Sequence, residues 1–290
     1  MNLPVLLALV PVAMFAAVPN KTASVDNAVV VQPVANMYSR ASTDADVVSQ
    51  AIFSTNVAIV EQDGAWLKIR TPDAYTGWMQ ASATVRSKPY ADSGHAVQVE
   101  ALFANLYRET NITKHQPVIT IPFESRLEVI GEPETSGRWF QVRLPDDRTA
   151  WVQAGDVTNS PTRDMSIAEL IDWSKRFVGL PYLWGGTSTY GYDCSGFMQM
   201  LCRRRGFLLP RDAQPQAEWS GVQPVEKTEL QPGDLLYFGS SPKHITHTGM
   251  YIGNGLFINA TAHQHPMVQV DNLNEEHWTK LLVAARRIKQ

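Results

Sequence analysis

The chain has 290 residues, of which 44% are hydrophobic and 18% are charged. These values predict a globular protein of two or three compact domains. The formal net charge of −3 gives no support for a nucleic-acid binder or for a protein that binds anionic membranes.

The N-terminus contains one apolar run, residues 3–18, followed by polar residues 19–22. Such a run is typical of the core of a secretory signal peptide and is too short for a comfortable transmembrane span. We therefore predict a leader over residues 1–24 and export to the periplasm or cell envelope, with no stable membrane span in the mature chain. If the run is not a signal, the protein is cytoplasmic.

An internal repeat follows the leader. The letters ANMY (35–38) return as ANLY (104–107), and WLKIRTPD (66–73) returns as WFQVRLPD (139–146). Each copy then closes similarly, with TGWMQ at 76–80 and TAWVQ at 149–153. Repeated segments of this length indicate two copies of one small domain.

Both copies predict small all-β barrels, over residues 28–88 and 92–160. Short alternating segments such as 57–60 and 127–130 are typical of strands, and Pro-Asp pairs supply turns. The two copies resemble bacterial SH3-like domains. The pattern leaves open whether they bind a ligand or serve as structural spacers.

After a predicted linker at 157–163, the pattern changes to that of an α+β domain over residues 165–290. Ser166 and Glu169 form a predicted capping box at the start of one helix, and a second helix is predicted within 193–206. Strands are then predicted over four segments: 235–238, 247–252, 256–260 and 282–288.

The only two cysteines both lie in the second predicted helix, so no disulfide framework is expected. Cys194 is placed at the helix start, where free backbone N–H groups and the helix dipole stabilise a thiolate. Cys202 lies on the apolar side of the helix, where a buried structural role is the simpler interpretation. We therefore predict that Cys194 is the reactive thiol.

Five short motifs follow one another in this region. YLWGG (182–186) precedes DCSGF (193–197), and LPRD (209–212), QPGDL (231–235) and HTGMYIG (247–253) come after it. In this order they resemble the NlpC/P60 family of cysteine peptidases, over essentially all of residues 165–290. The resemblance implies two SH3-like barrels followed by an α+β papain-like catalytic domain.

The resemblance also implies the catalytic residues. Cys194 is the nucleophile, and the family's base falls on His247. The residue that orients the imidazole falls on Asn259, where many relatives carry histidine. An amide oxygen can accept the imidazole N–H, so we expect activity to survive this departure.

The strand register provides a geometric test of the Asn259 assignment. A three-residue loop over 253–255 would pair Gly249 with Asn259 and place His247 and Asn259 on one face of the sheet. A simple two-residue loop would pair Met250 with Asn259 instead and separate the two side chains. We therefore predict a type I turn with a G1 bulge, with Gly255 in the left-handed conformation.

Other family positions concern the substrate. By resemblance, Tyr182 and Trp184 shape the cleft, and Tyr182 also assists with the oxyanion beside the Cys194 N–H. The remaining implied positions flank the nucleophile or contact the peptide: Asp193, Ser195, Arg211 and Asp212. Where relatives often carry serine next, this chain has Ala213.

The first repeat contributes two further candidates. In relatives with paired SH3-like domains that cleave free wall peptides, a tyrosine of the first domain borders the active site and blocks longer chains. Tyr75 occupies that place, whereas the second copy has Arg148. An acidic residue of the same domain holds the peptide's amino group, and Asp46 is the candidate. A surface aromatic in a turn is the alternative interpretation of Tyr75.

The resemblance implies a thiol endopeptidase that cleaves the γ-D-glutamyl bond to meso-diaminopimelate or lysine in murein stem peptides. An N-acetylmuramoyl-L-alanine amidase and a non-catalytic wall-binding protein remain alternatives. The expected partners are murein peptides or peptidoglycan, and the oligomeric state is left open. The histidine spacing gives no zinc signature, and we expect no cofactor.

Overall fold

A computed structural model describes residues 26–131, 137–159 and 165–289. The predicted leader and part of the predicted linker lie outside these ranges. The first repeat forms strands β1 Asp26–Val30, β2 Val34–Tyr38, β3 Val47–Ile52, β4 Asn56–Asp63, β5 Trp66–Arg70, β6 Thr76–Gln80 and β7 Thr84–Arg86. The second forms β8 Ala96–Val99, β9 Phe103–Leu106, β10 Ile119–Pro122, β11 Arg126–Val129, β12 Trp139–Arg143, β13 Thr149–Gln153 and β14 Val157–Thr158.

The C-terminal part contains both strands and helices. Its strands are β15 Thr187–Ser188, β16 Gly191–Tyr192, β17 Val222–Pro224, β18 Leu235–Ser241, β19 His244–Gly253, β20 Leu256–Thr261, β21 Met267–Asn272 and β22 Leu282–Ile288. Its helices are α1 Ile167–Ser174, α2 Cys194–Arg203, α3 Ala213–Glu218 and α4 Glu276–Leu281. The four predicted strands are confirmed, although β19 begins three residues before the predicted segment.

The first β domain is a seven-stranded sheet with strand order β3-β2-β6-β5-β4-β1-β7. Its strands alternate because one face is buried: along β5, Leu67 and Ile69 point into the core while their neighbours remain partly exposed. All described strand pairs in this sheet are antiparallel, so short turns suffice to connect them.

The second β domain repeats this plan. Its five-stranded sheet has the order β13-β12-β11-β8-β14, and the β9–β10 hairpin is joined to it through a bridge between Tyr107 and Trp151. Equivalent single turns of 3-10 helix, Ala81–Ala83 and Ala154–Asp156, close the two copies. This correspondence agrees with the repeat that was read from the sequence.

The C-terminal domain packs its helices on a six-stranded antiparallel sheet with strand order β17-β22-β18-β19-β20-β21. Helix α1 begins with the predicted capping box of Ser166 and Glu169. Helix α2 is central, because every residue from 194 to 202 is buried. Two SH3-like β domains followed by an α+β domain confirm the predicted fold class.

Each β domain contributes a phenylalanine to the hydrophobic core of the domain that follows it. Phe53 of the first β domain lies in the hydrophobic core of the second, and Phe123 of the second lies in the core of the C-terminal domain. No helix in the described part of the chain is both long and apolar enough to cross a membrane.

Candidate active site

The start of α2 holds Cys194 in a tightly packed position. The Asp193 side chain caps the helix by accepting a hydrogen bond from the Gly196 N–H at 2.7 Å. Glycine is required at 196, since a Cβ atom there would lie 2.3 Å from the carbonyl oxygen of Gly186. The DCSGF motif therefore lets the helix start lie directly against the loop that contains YLWGG.

The Cys194 thiol is only 8% exposed. Burial, followed by the nearby Asp193 carboxylate, raises the pKa of the thiol to about 12, while backbone hydrogen bonds at Thr248 and Ser195 act in the opposite direction. This differs from the expectation of a thiolate, because burial outweighs the helix start. The contact with Thr248 also places the sulfur beside the residue that follows His247.

His247 is oriented by Asn259. The imidazole Nε2 lies 2.8 Å from Asn259 Oδ1, and because an amide oxygen can only accept, Nε2 carries the proton and the lone pair remains on Nδ1. The ring stacks on Trp278, with centroids 5.2 Å apart. Burial lowers the pKa of His247 to about 4, partly offset by the Asn259 hydrogen bond and the Asp271 charge. The imidazole is therefore neutral at pH 7.

The predicted register of the β19–β20 hairpin is confirmed. Met250 pairs with Ile258 and Tyr251 with Phe257, which puts Gly249 opposite Asn259. In agreement with this register, a Cβ atom at Gly249 would lie 3.1 Å from the Asn259 Cβ.

The predicted turn type is wrong. The loop has two residues, Asn254 and Gly255, both with positive φ (54° and 76°), and joins Gly253 to Leu256. The extra residue that sets the register lies within β19, between Tyr251 and Gly253. A two-residue turn with positive φ matches the twist of the strands, and the displaced bulge still keeps His247 and Asn259 on one face.

Arg211 holds the two residues that flank Cys194, Asp193 and Ser195. Its buried guanidinium donates to both carboxylate oxygens of Asp193, at 3.0 and 2.6 Å, and to Ser195 Oγ at 2.9 Å. It also donates to Ser49 Oγ of the first β domain at 3.0 Å. The resemblance implied that Arg211 contacts the peptide, but all three of its guanidinium nitrogens donate to side chains of the protein.

Of the two aromatic candidates, Tyr182 lies beside the thiol. Tyr182 is half-buried, and burial together with the proximity of Cys194 raises its pKa, so its hydroxyl keeps the proton and can donate. Trp184 leaves 69% of its surface exposed, so it is not a core residue and its indole is available to a ligand.

The first β domain reaches the same region. The Tyr75 hydroxyl donates to Asp212 Oδ2 at 3.2 Å, and Asp212 itself is exposed. Asp46 is also exposed and immediately precedes Val47, whose side chain lies against Gly185: a Cβ atom at Gly185 would approach Val47 Cγ1 to 2.8 Å. Both candidates of the first repeat are thus carried by segments that contact the C-terminal domain.

Several residues at the site were not predicted. Asp271 and Gln269 of β21 lie behind Asn259, and their alternation with the valines at 268 and 270 was the available signal. Ser49 contacts Arg211, and Asp73 accepts from Gln199 at 2.9 Å. No local sequence pattern predicts these interdomain contacts.

Two further histidines lie near His247. The rings of His263 and His277 are parallel with centroids 3.7 Å apart, and both contact Trp278. Among residues 26–131, 137–159 and 165–289, no group of three or more His, Cys, Asp or Glu side chains is arranged to hold a metal ion.

A thiol at the start of a central helix, facing a sheet with an amide-oriented imidazole, defines the class of papain-like cysteine hydrolases. Three segments of the chain match known families: residues 179–287 the NlpC/P60 family, residues 33–86 the bacterial SH3 domain, and residues 91–158 the GW (Gly-Tryp) dipeptide domain. The chain belongs to the NlpC/P60 family and is a cysteine peptidase.

Individual relatives resemble the chain over most of its length. A γ-D-glutamyl-L-lysine dipeptidyl-peptidase of Bacillus cereus is 31% identical over 82% of this chain and 74% of the relative. One of Bacillus subtilis with the same name is 28% identical over 84% and 82%, respectively. The crystal structure of an NlpC/P60 family protein from Bacillus cereus superposes with a TM-score of 0.77 at 26% identity, covering 90% of this chain and 99% of the other.

Proposed function

We propose that the protein is an endopeptidase that hydrolyses the γ-D-glutamyl bond to L-lysine or meso-diaminopimelate in murein stem peptides, with preference for peptides with a free N-terminal L-alanine. The observation that carries the proposal is the His247–Asn259 hydrogen bond beside a buried thiol at a helix start. The names of the two Bacillus relatives, γ-D-glutamyl-L-lysine dipeptidyl-peptidases, support the substrate class.

In the proposed reaction, the Cys194 sulfur attacks the γ-carbonyl carbon of D-glutamate while His247 Nδ1 takes the thiol proton. The C–N bond of the resulting tetrahedral intermediate then breaks, and His247 returns the proton to the amine of the departing diamino acid. Water hydrolyses the thioester in the second half, with His247 again as base. Because both groups are neutral beforehand, proton transfer accompanies the attack.

Two groups are proposed to stabilise the oxyanion of both tetrahedral intermediates. One is the Cys194 N–H at the start of α2, and the other is the Tyr182 hydroxyl, which remains protonated beside the thiol. Fixed donors in a water-poor site stabilise developing negative charge without the reorganisation that water requires.

The preference for a free amino group is proposed to come from the first β domain. Tyr75 and Asp212, joined by their hydrogen bond, would close the end of the cleft against peptides that still carry muramic acid. The ammonium group of a free N-terminus would form ion pairs there with the carboxylates of Asp212 and, in our proposal, Asp46. Cleavage two residues from a free N-terminus agrees with the dipeptidyl-peptidase names of the relatives.

The test is hydrolysis of L-Ala-γ-D-Glu-L-Lys and of L-Ala-γ-D-Glu-meso-diaminopimelate, followed by mass spectrometry. We expect release of L-Ala-γ-D-Glu, and complete loss of this product in Cys194→Ala. Cys202→Ala is the matched control and should retain activity, because Cys202 is a buried helix residue outside the site.

The alternatives predict different results. If the enzyme separates muramic acid from a peptide that is still attached to it, and does not cleave after D-glutamate, it is an amidase. Wall binding without any hydrolysis by the wild type would identify a non-catalytic binding protein.

We also propose that the protein acts in the cell envelope, as an exported enzyme. The bacterial SH3 and GW matches support an envelope role, and the predicted leader at residues 1–24 supports export. N-terminal sequencing of the protein recovered from the envelope fraction of its host would test the cleavage.

A further inference from the structure

The amide group of Asn259 has a carboxylate on its far side. Asn259 is fully buried, and its Nδ2 donates to Asp271 Oδ2 at 2.9 Å, while its Oδ1 faces His247. A weaker contact joins Nδ2 to the Gln269 carbonyl oxygen at 3.4 Å. The side chain therefore lies between one imidazole and one carboxylate.

The orientation of this amide decides the chemistry of His247. With Oδ1 toward the ring, Nε2 must carry the proton and Nδ1 holds the lone pair. If the amide were turned by 180°, its NH2 group would face Nε2, which would then have to accept, and the proton would move to Nδ1. A protonated Nδ1 could not take the proton of Cys194, so only one amide orientation yields a base.

A carboxylate can enforce that orientation because it only accepts hydrogen bonds at neutral pH. Turning the Asn259 amide would place Oδ1 against Asp271 Oδ2, which brings two acceptors together in a buried site. Such a contact loses a hydrogen bond to a charged group and leaves repulsion in its place. Asparagine by itself has no such preference, since its two ends are nearly equal in size.

Asp271 is itself held in place. Gln269 Nε2 donates to both Asp271 oxygens, at 2.9 and 3.0 Å, and the β20–β21 register pairs Asn259 with Gln269. The two other groups that act electrostatically on His247, His277 and Asp193, have no hydrogen bond to the Asn259 amide among the described contacts. Asp271 is therefore the group placed to select the orientation.

We propose that Asp271 is a positioning residue, which holds the Asn259 amide in the orientation that keeps the His247 lone pair on Nδ1. The inference rests on the proposed roles of Cys194 and His247. Asp271 would be the fourth residue in the series Cys194, His247 and Asn259, and it would not contact the substrate.

The test is Asp271→Asn, which keeps the shape but offers a donor as well as an acceptor. We expect kcat on L-Ala-γ-D-Glu-L-Lys to fall about 10- to 100-fold, with KM unchanged. Losses of this size follow when the hydrogen-bond partners that orient metal-bound histidines are replaced. In the full-length protein labelled with ¹⁵N-histidine, the His247 signal, assigned by its loss in His247→Gln, should change from protonated Nε2 alone to a mixture of the two tautomers. Asp271→Glu retains an acceptor-only group and should retain the single tautomer.

The matched control is Glu275→Gln, which removes an exposed carboxylate of the same region that has no described contact with Asn259. It should leave both kcat and the tautomer unchanged. In an Asn259→Ala background, Asp271→Asn should cause no further loss, because its effect passes through the amide.

Two results would overturn the inference: an unchanged His247 tautomer in folded Asp271→Asn, or an equal additional loss of kcat in the Asn259→Ala background. Failure of the proposed function is separate from both. If the wild type does not cleave the peptide but Asp271→Asn still mixes the tautomers, the positioning role stands and the substrate assignment fails.

Discussion

At the scale of single residues, the site is a pair of neutral groups. Burial raises the pKa of the Cys194 thiol and lowers that of the His247 imidazole. A helix start contributes about 0.3–1 kcal/mol, which is less than one pKa unit, whereas burial can move a pKa by as much as about 3–5. The effect of burial is therefore the larger one, and in the proposed reaction the thiol becomes nucleophilic when His247 removes its proton.

This arrangement predicts the acid limb of the pH profile. The reaction needs neutral His247, and a lowered pKa moves its protonation to lower pH. We expect kcat/KM for L-Ala-γ-D-Glu-L-Lys to be maintained as pH falls from 7 to 5 and to decline toward the His247 pKa of about 4. Initial rates across this range would measure it, and an acid limb centred on the ordinary histidine pKa of about 6.5 would contradict it.

Loss of activity by unfolding must be separated from this limb. The folded pKa of His247 lies below its unfolded value, so the unfolded state binds more protons between the two, and His247 lowers stability progressively as pH falls through that window. Circular dichroism at each pH serves as the control. Only the range in which the protein remains folded reports the protonation of the base.

At the scale of elements, the β19–β20 hairpin sets the distance between base and orienting amide. His247 lies two residues before Gly249, and Gly249 faces Asn259 across the ladder. The Asn259 side chain can approach because position 249 has no side chain: a Cβ atom there would meet Phe257 Cδ2 at 2.7 Å as well as the Asn259 Cβ. Both clashing groups are held in a packed sheet.

We therefore predict that Gly249→Ala displaces Asn259. Overpacking of this kind costs about 1–3 kcal/mol, and we expect peptide hydrolysis to fall at least about tenfold, since misplaced catalytic groups lose rate steeply. Denaturant unfolding and steady-state kinetics would measure the two effects. Gly155→Ala is the control, because Gly155 has negative φ and open space around its Cα; equal behaviour of the two variants would refute the argument.

At the scale of the whole molecule, both N-terminal domains contact the C-terminal domain around helix α2. Ser49 and Asp73 of the first β domain bind Arg211 and Gln199, and Tyr75 binds Asp212. Two ion pairs hold the second domain to the end of α2: Arg203 pairs with Glu124 at 2.7 Å, and the buried Arg204 pairs with Glu100 at 3.0 Å. In our proposal, the contacts of the first β domain make it one wall of the cleft.

Tyr75→Ala is predicted to relax the preference for free peptides. Without the ring, peptide still attached to muramic acid should be cleaved more readily relative to L-Ala-γ-D-Glu-L-Lys, as measured by competing the two substrates and analysing products by mass. Arg148→Ala is the matched control, since Arg148 holds the same place in the second repeat and pairs with Asp146 at the surface. An unchanged preference in Tyr75→Ala would remove the proposed gate.

Sequence patterns predicted the parts of the site that depend on local order. The motif around Cys194 placed the thiol at a helix start, and the catalytic assignment combined with strand alternation predicted that His247 and Asn259 share one face. The turn was wrong because a bulge within β19 and a bulge in the loop both restore the same register, and alternation cannot distinguish them. The role of Asp271 could not be predicted, because it depends on how a third strand, β21, pairs with β20.

By itself, the sequence determined the repeat, the order of the three domains and the helix start at Cys194. These follow from periodicity, capping and motif order, which act over short stretches of chain. Only the tertiary structure decided the charge state of the thiol and imidazole, the burial of Arg211, the register of the β19–β20 hairpin, and the pairing of Arg203 and Arg204 with the second β domain. Burial and interdomain pairing depend on which distant segments come together, and no local pattern specifies that.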